Sequence, residues 1–322
     1  MTMVFERVRD EGLLASGRSV LVMLSGGRDS TCLADLAVRI AGAGFVRALH
    51  VNYGLRDESS ADERWCSELC ERLQIPLALR RAVRPETGNL QAWARDERYG
   101  AAAQIALAWP ADVAVGHTAT DQVETVLYRL ASSPSRRALL GMHPRQGSLI
   151  RPLLAFTREQ TATYCRERGL TWREDETNGS RAYARGRVRG GLVPALKEIH
   201  PAAEQNVLAL LEVLRDEAAV LEELVDETLG GVEQIELKRL RGLSPALRRL
   251  VVQRLADGAA GRPAPGTARR ADEIAALSDH AALDLPHGIR AEVRLGTLRL
   301  LRRNATVPSA DDPHQQASAA RP

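Results

Sequence analysis

SVLVML at 19–24 runs directly into SGGRDS at 25–30, and this stretch decides the fold. The first six residues predict a buried strand, and apolar residues at helical spacing between Cys32 and Ile40 predict a helix directly after the turn. A strand, a glycine turn and a helix N-terminus leave backbone N–H groups pointing at one spot, where the helix dipole favours an anion. A bare Gly-Gly turn is equally compatible with an ordinary strand-to-helix turn in which Asp29 or Ser30 caps the helix. The remaining residues of the string are needed to distinguish a phosphate site from such a turn.

The string SGGRDS is more specific than its two glycines. It lacks the lysine of the Walker A loop, and its spacing is not that of GxGxxG. It resembles the PP-loop of the N-type ATP pyrophosphatases, which bind the pyrophosphate of ATP and transfer AMP to a substrate oxygen. The resemblance implies that Asp29 helps to hold Mg²⁺ and the phosphates. The ATP-binding set that it implies in this string is Ser25, Gly26, Gly27, Arg28, Asp29 and Ser30.

The order of strands and helices predicts an α/β fold. A second apolar stretch lies at 46–51, and further strands are predicted at 76–83 and 111–116. Strand, helix and strand at this spacing predict right-handed parallel crossovers, hence a doubly wound, mostly parallel, Rossmann-like sheet as in PP-loop ATPases. Ligands of such sheets bind beyond the carboxyl ends of the strands, where both SGGRDS and HVNYGLR at 50–56 are expected.

The segment GHTATDQVET at 116–125 follows the fourth predicted strand. On a helix, Asp121 and Glu124 share a face with Thr125 and Tyr128. Carboxylates in a first turn also suit the helix dipole and a capping pattern, so capping and chemistry are both open from this segment alone. Its expected place on the same sheet edge as SGGRDS favours chemistry.

Arg95 and Arg98 are three residues apart on the next predicted helix, NLQAWARDERY at 89–99. They share a face, and two interpretations compete. The pair could be a solvated stripe balanced by Asp96 and Glu97, or it could contact phosphates. Spacing alone favours the solvated stripe.

The composition allows two domains and imposes few other limits. The chain has 322 residues, is 44% hydrophobic and carries a formal charge of +3, with lysine only at Lys197 and Lys238. Arginine suits bidentate contacts with phosphate and stacking on bases, which is compatible with an RNA partner without requiring one. No run approaches the length of a membrane span and MTMVFERVRD lacks a signal-peptide core, so we expect a cytoplasmic protein.

The four cysteines do not form a metal or disulfide pattern. Cys66 and Cys70 are four residues apart on a predicted helix, with no second pair and no histidine nearby. Buried, inert thiols are therefore predicted, and a sulfur-transferring activity that uses paired cysteines is disfavoured.

Six segments in one order resemble a particular family. They are SGGRDS at 25–30, HVNYGLR at 50–56, ARDERY at 94–99, GHTATDQVET at 116–125, RPLL at 151–154 and EDETN at 174–178. Together they resemble the tRNA(Ile)-lysidine synthetases, and the GHxxxDQxET string separates that family from other PP-loop enzymes. The resemblance covers roughly the first 200 residues. It implies adenylation of the wobble cytidine of a CAU-anticodon isoleucine tRNA by ATP and Mg²⁺, followed by attack of the ε-amine of free lysine.

The resemblance also implies roles for residues of this chain. Arg98 and His117 would contact ATP or the charge that develops during adenylyl transfer, which makes them, with Asp29 and Asp121, the predicted catalytic residues. Asp121, Glu124 and Arg189 would form the lysine site. Because carboxylates raise the pKa of a bound ammonium, they explain lysine binding more readily than attack, and Asp121 as the base is a separate hypothesis.

The sequence departs from the family pattern in three places. A Gly-rich segment is replaced by ASSPSRRAL at 131–139, the segment at 185–189 reads RGRVR, and Tyr53 stands where histidine is common. Basic residues in the first two segments are predicted to contact the tRNA. They are Arg136, Arg137, Arg185 and Arg187.

Four regions are predicted along the chain. A catalytic domain at 1–200 precedes a helical linker at 201–232, a small α+β tRNA-recognition domain at 233–304 and a disordered tail at 305–322. The linker helix also makes a homodimer plausible.

Two alternatives to the lysine:tRNA ligase are considered. One is another PP-loop adenylating activity, such as tRNA thiolation or an amidotransferase synthetase, which the absent CxxC pair and glutaminase domain disfavour. The other is a non-catalytic tRNA-binding protein, which the intact SGGRDS and GHTATDQVET strings disfavour.

Overall fold

Helices and strands alternate through the first part of the chain. The computed structural model describes residues 3–54, 59–133, 135–174 and 184–303. The first elements are α1 (Met3–Asp10), β1 (Val20–Met23), α2 (Arg28–Ala41), β2 (Val46–Asn52), α3 (Ser59–Leu73), β3 (Leu77–Arg81), α4 (Leu90–Ala108), β4 (Asp112–Ala114), α5 (Ala119–Ser132), α6 (Arg136–Leu139), β5 (Arg145–Gln146), β6 (Leu149–Ile150), α7 (Arg158–Glu167), α8 (Ala184–Arg187) and α9 (Val193–Ile199). The remainder comprises α10 (Ala203–Leu229), β7 (Gln234–Glu236), α11 (Leu237–Gly242), α12 (Pro245–Ala260), α13 (Ala271–Ala275), β8 (Ala282–Leu285), β9 (Ile289–Arg294) and β10 (Thr297–Arg302).

The main sheet has the order β3-β2-β1-β4-β6-β5 within the described residues. β1 to β4 and β6 pair in parallel, and only β5 runs antiparallel to its neighbour. β1 lies between β2 and β4, with Val22 beside both Ala48 and Ala114. This arrangement confirms the predicted doubly wound, mostly parallel α/β sheet.

The central strand β1 is buried on both faces. Val20 and Val22 pack into one apolar cluster, whereas Leu21 and Met23 pack into another on the opposite side. This alternation follows from the two-residue period of a strand, and helices cover both faces. The run SVLVML is apolar without interruption because both sides need apolar residues.

The chain divides into two compact units, Met1–Leu214 and Arg215–Pro322. The second unit contains an antiparallel sheet of order β7-β10-β9-β8, and α12 packs on it through Val251, Val252 and Leu255. It is the small α+β region that the sequence predicts. The roles of the predicted domains stay predictions, and the tail at 305–322 lies outside the described residues.

Two helix boundaries differ from the sequence pattern, which predicts an amphipathic helix over 5–14 and another beginning at 274–277. The first helix instead spans Met3–Asp10, and Gly12 after it adopts a left-handed φ of 68°. The other spans Ala271–Ala275. No helix in the described ranges combines the length and the apolar character needed to cross a membrane.

Candidate active site

A cavity of about 540 Å³ lies at the carboxyl ends of β1, β2 and β4. This is the edge at which ligands bind in open α/β sheets. The cavity brings together residues from five of the six sequence segments described above, from the segment at 185–189 and from α7. Those discussed below are Ser25, Gly27, Arg28, Asp29, Ser30, Arg98, Tyr99, His117, Asp121, Arg158, Glu174 and Arg189.

The PP-loop joins β1 to α2 and is held by its own hydroxyl groups. Ser30 Oγ donates to Gly27 O at 2.8 Å, and Ser25 Oγ lies 3.0 Å from Ser30 Oγ. Gly26 has a φ of 86°, which a residue with a Cβ rarely adopts. Gly27 precedes the first helical residue and offers no side-chain acceptor to the first-turn amides, so these N–H groups are suited to a phosphate.

Neighbouring segments position the PP-loop. A Cβ on Gly116 would lie 3.1 Å from the backbone C and O atoms of Asp29 and from Ser30 N, so any other residue would displace the loop by a few tenths of an ångström. Buried His50 on β2 lies with Nδ1 2.9 Å from Leu24 O, immediately before the loop. Predicted motifs at 50–56 and 116–125 thus support the SGGRDS turn.

Asp29, in the first turn of α2, is held from two sides. Its Oδ1 accepts hydrogen bonds from Thr161 Oγ1 at 2.6 Å and Arg28 Nε at 3.1 Å. Its Oδ2 faces Arg158 Nε at 3.8 Å. One carboxylate oxygen beside a phosphate-binding turn is a donor set that fits Mg²⁺, which takes one or two carboxylates together with phosphate oxygens.

Two arginines bind the carboxylates of α5. Arg158 donates through Nη2 to Asp121 Oδ1 at 2.7 Å and through Nη1 to Glu124 Oε1 at 3.1 Å. Arg189 donates to both oxygens of Glu124, at 2.6 and 2.9 Å. Glu124 is only 1% exposed, so its two arginine partners are what allow this charge to be buried.

Asp121 caps helix α5 and also pairs with Arg158. Its Oδ2 accepts from the backbone N and Oγ1 of Thr118, both at 2.9 Å, which completes a capping box, while Oδ1 faces Arg158. Burial alone would raise the pKa of the Asp121 carboxyl, but Arg158 and Thr118 hold it below its usual value. A carboxylate with a lowered pKa is a weak proton acceptor, so this environment favours ammonium binding over base catalysis.

His117 and Arg98 carry polar atoms without protein partners. His117 Nδ1 and Arg98 Nε are buried and make no hydrogen bond with the described residues. Burial lowers the pKa of His117 to about 4, and nearby Arg151 and Arg98 lower it further against the opposing effect of Asp121. The imidazole is therefore neutral near pH 7, and a ligand in the cavity can pair with these atoms.

The four arginines predicted to contact tRNA do not line this cavity. Arg136 has one buried nitrogen, Nη1, without a partner among the described residues, and exposed Arg185 donates to Thr125 Oγ1 at 3.0 Å. Arg137 on α6 and Arg187 on α8 lie in the same two segments. Of the motif at 174–178, Glu174 lines the cavity and 175–178 lie outside the described residues.

Sequence reasoning missed Arg158, which contacts Asp29, Asp121 and Glu124. It is the first residue of α7, which begins with a capping box formed by Thr157 and Gln160. The sequence feature that could have indicated Arg158 is the RPLL segment at 151–154. This segment follows β6 directly, so the residues after it lie at the sheet edge that holds the cavity. Of the two arginines three residues apart on α4, Arg95 is exposed and Arg98 lines the cavity, and both guanidinium groups lie over the Tyr99 ring.

The four cysteines are free and buried, as predicted. Burial raises the pKa of the Cys66 and Cys70 thiols to about 12. No group of three or more histidine, cysteine or acidic side chains suited to a metal ion occurs in the described part of the chain.

Comparison with known proteins identifies the family. The PP-loop domain family matches residues 3–196. The tRNA(Ile)-lysidine synthase of Dehalococcoides mccartyi (strain CBDB1) is 33% identical and aligns over 90% of this chain and 68% of its own length. The protein of the same name from Symbiobacterium thermophilum is 34% identical, over 93% of this chain and 69% of its own length.

The chain is shorter than the relatives it matches. It spans about two thirds of the two proteins above and 59% of the tRNA(Ile)-lysidine synthase of Thermus thermophilus, which is 34% identical. Among solved structures, the U34-tRNA thiolase NcsA from Methanococcus maripaludis aligns with a TM-score of 0.54 at 18% identity, covering 66% of this chain and 78% of that one. This likeness concerns the fold.

Proposed function

The chain belongs to the tRNA(Ile)-lysidine synthase family of PP-loop proteins, and we propose that it converts the wobble cytidine of a CAU-anticodon isoleucine tRNA into lysidine. In the first step the cytidine 2-oxo oxygen attacks the α-phosphorus of ATP, and pyrophosphate leaves. In the second step the ε-amine of free lysine forms a bond to C2 of the cytosine, and AMP leaves with the oxygen. The amine loses its protons to the surroundings.

The PP-loop side of the cavity is proposed to bind ATP. The uncapped first turn of α2 and the hydroxyls of Ser25 and Ser30 suit the phosphates. Asp29 Oδ2 and the phosphate oxygens would hold Mg²⁺, which neutralises phosphate charge when bound. Adenylyl transfer needs mainly positioning and neutralisation of charge, which the turn and Arg28 supply.

Arg98 and His117 are proposed to contact the reacting end of the nucleotide. Each has a buried nitrogen without a partner among the described residues, and each lines the cavity beside the PP-loop. With its lowered pKa, neutral His117 offers one N–H donor and one acceptor. Arg98 supplies a permanent positive charge for the α-phosphate as its charge develops.

The α5 side of the cavity is proposed to bind lysine through Asp121 and Glu124, completed by Arg189; Asp121 and Arg189 line the cavity, whereas Glu124 is buried and held by Arg158 and Arg189. The observation that carries the proposal is that Arg158 ties both carboxylates to Asp29 of the PP-loop. An adenylation site and an ammonium-binding site are thereby adjacent. An amine bound to Asp121 or Glu124 would lie next to the adenylated base.

Charge balance bears on how the amine becomes a nucleophile. Three carboxylates (Asp29, Asp121 and Glu124) are matched by Arg28, Arg158 and Arg189 through contacts between 2.6 and 3.8 Å. Unbalanced carboxylates would raise the pKa of a bound ammonium and retain the proton. The guanidinium groups offset part of this effect, so the cluster is proposed to bind the ammonium while raising its pKa less than unpaired carboxylates would.

Further proposals concern the rest of the molecule. Arg136, Arg137, Arg185 and Arg187 are proposed to contact the tRNA, and residues 233–304 to help recognise it. Because the proposed substrates are ATP and tRNA, we also propose that the reaction takes place in the cytoplasm. A homodimer through α10 stays a prediction that light scattering can test.

The test of the proposed function is incorporation of radiolabelled lysine into a CAU-anticodon isoleucine tRNA transcript, with ATP and Mg²⁺. The CAU-anticodon methionine tRNA serves as the control. Incorporation confined to the isoleucine tRNA is expected. Pyrophosphate release without lysine incorporation would leave only the adenylating activity, and RNA binding without either would favour the non-catalytic alternative.

A further inference from the structure

A second group of arginines lies beside the cavity without lining it. Arg95 on α4, Arg129 on α5 and Arg151 after β6, with exposed Arg185 on α8 at the edge, are called here the arginine cluster. The cavity described above is lined by Tyr99, Arg98 and His117 on this side. The arginine cluster is therefore adjacent to the proposed ATP site and separate from it.

One short segment holds two members of the cluster together. Arg129 Nη1 donates to Gly141 O at 2.8 Å and to Ala138 O at 3.4 Å, and Arg151 Nη1 donates to His143 O at 2.7 Å. The carbonyl groups of residues 138–143 thus fix two guanidinium groups side by side. Arg151 is only 4% exposed, and its buried Nε has no hydrogen-bond partner among the described residues.

Tyr99 forms the wall between the cluster and the cavity. The guanidinium carbon of Arg95 lies 4.8 Å from the centre of the Tyr99 ring, and that of Arg98 lies 5.4 Å from it. The Tyr99 hydroxyl is buried and, in the described structure, also lacks a partner. Two buried donors, Tyr99 Oη and Arg151 Nε, are thus unsatisfied in one region.

The cluster has no counterion among the described side chains. Burial lowers the pKa of Arg129, and Arg185 and Arg95 lower it further. Burial likewise lowers the pKa of Arg151, and Arg95 and Arg129 add to this effect against an opposing contribution of Tyr99. No carboxylate of the described residues contributes in the opposite direction. Buried charges are normally paired, and an anion bound among these guanidinium groups would offset their mutual repulsion.

We propose that the arginine cluster is an anion site that binds a backbone phosphodiester of the RNA substrate, next to the nucleotide undergoing adenylation. The inference rests on the proposed function, since it assumes an RNA whose reactive base enters the neighbouring cavity. The forked donors of arginine match phosphate oxygens, and phosphate contacts fix the register of a nucleic acid on a protein. The ATP phosphates already have the PP-loop, on the other side of Tyr99.

The test measures binding of a fluorescein-labelled CAU anticodon stem-loop RNA at several salt concentrations between about 50 and 200 mM NaCl. Arg95→Gln and Arg185→Gln are the test variants because both side chains are exposed, which makes misfolding a minor concern. Arg72→Gln is the matched control, since Arg72 is exposed in the last turn of α3, which returns to the opposite edge of the sheet. Binding of ATP is measured for every variant, as is lysine incorporation by the wild type.

Arg95→Gln is expected to weaken RNA binding by about tenfold and to reduce the slope of log K against log salt by about 1, with ATP binding unchanged. A second series of stem-loops replaces one phosphodiester at a time, near the modified base, by a neutral methylphosphonate. At one position this replacement is expected to weaken binding to the wild type but to leave binding to Arg95→Gln unchanged. If Arg95 and that phosphate form one contact, removing both should weaken RNA binding no more than removing either one.

Two results would overturn the inference. One is that Arg95→Gln binds RNA with the same affinity and salt slope as Arg72→Gln, and that no methylphosphonate position distinguishes the wild type from Arg95→Gln. The other is weakened ATP binding with RNA binding unchanged, which would assign the cluster to the nucleotide phosphates. Failure of the wild type to bind the RNA would overturn it as well, whereas RNA binding without lysine incorporation would contradict only the proposed function.

Discussion

Arg158 Nη2 lies 2.7 Å from Asp121 Oδ1, and this contact joins α7 to the first turn of α5. The two residues are 37 positions apart in the chain, so no local sequence pattern predicts their contact. The contact keeps the Asp121 carboxylate ionised and oriented. It is the clearest point at which the structure adds a residue to the sequence-based site.

Replacing Arg158 by glutamine should impair the lysine step. It leaves Asp121 and buried Glu124 with one fewer cationic partner, which we expect to lower kcat/KM for lysine by roughly 100-fold. Loss of a buried ion pair should also lower the free energy of unfolding by about 3–5 kcal/mol. Steady-state kinetics and urea denaturation measure the two effects.

Two variants control for that experiment. Arg158→Lys retains the charge without the bidentate fork and should recover activity only in part. Arg166→Gln, on the exposed face of the same helix, should match wild type. Equal lysine kinetics for Arg158→Gln and Arg166→Gln would remove Arg158 from the site.

Replacing Gly116 by alanine should disturb the PP-loop without touching a ligand. The added Cβ would meet backbone atoms of Asp29 and Ser30 at 3.1 Å, so the loop has to shift. We expect a loss of about 1–3 kcal/mol of stability and an increase in the Kd for ATP. Isothermal titration calorimetry with ATP measures the affinity.

Gly100→Ala is the matched control for this change. A Cβ on Gly100 meets nothing within 4 Å, and the residue lies inside α4, where alanine is favoured over glycine. This variant should bind ATP normally and unfold at a slightly higher urea concentration. Unchanged ATP affinity in Gly116→Ala would show that the loop does not depend on this approach.

His117 should make stability depend on pH in the acid range. Burial lowers its pKa from 6.5 to about 4, so the unfolded chain binds this proton more tightly than the folded protein does. The free energy of unfolding should therefore fall by about 3 kcal/mol as the pH drops from about 6.5 to about 4, and should not depend on His117 above that window. His117→Gln should lose this share of the pH dependence in urea titrations, and parallel curves for the two proteins would contradict the assignment.

The cysteines should be inert in the native protein. All four are buried, and the Cys66 and Cys70 thiols have pKa values of about 12, so very little thiolate is present at neutral pH. Iodoacetamide should modify none of them under native conditions and all of them in denaturant, as read by mass spectrometry. Rapid native labelling would reopen a sulfur-transferring activity.

Much of the fold was predictable because its signals are local. SVLVML, the SGGRDS turn and the apolar stretches that follow encode β1, α2 and β2 through burial on both faces and through glycine geometry. The two-residue strands β5 and β6 were missed because so short a stretch carries no period. β7 was missed for the same reason.

The candidate site was predictable where it follows strand ends and unpredictable where distant segments meet. SGGRDS and GHTATDQVET each follow a strand of the sheet, so their convergence could be inferred. Arg158 joins the cluster only because α7 packs against α2, and its sequence neighbours give it the appearance of a solvated first-turn residue. The contacts of Arg95 and Arg98 with the Tyr99 ring could not be predicted, because spacing shows only that the two arginines share a helix face.

The most direct test of the proposed division between ATP and lysine sites compares two readouts in Glu124→Gln. Pyrophosphate release in the presence of isoleucine tRNA reports adenylation, and labelled lysine in the same tRNA reports the second step. We expect Glu124→Gln to retain tRNA-dependent pyrophosphate release and to lose lysine incorporation by at least about 100-fold, whereas Asp29→Asn loses both. Equal loss of both readouts in a folded, ATP-binding Glu124→Gln, or full lysine incorporation by it, would contradict the placement of lysine at Asp121 and Glu124.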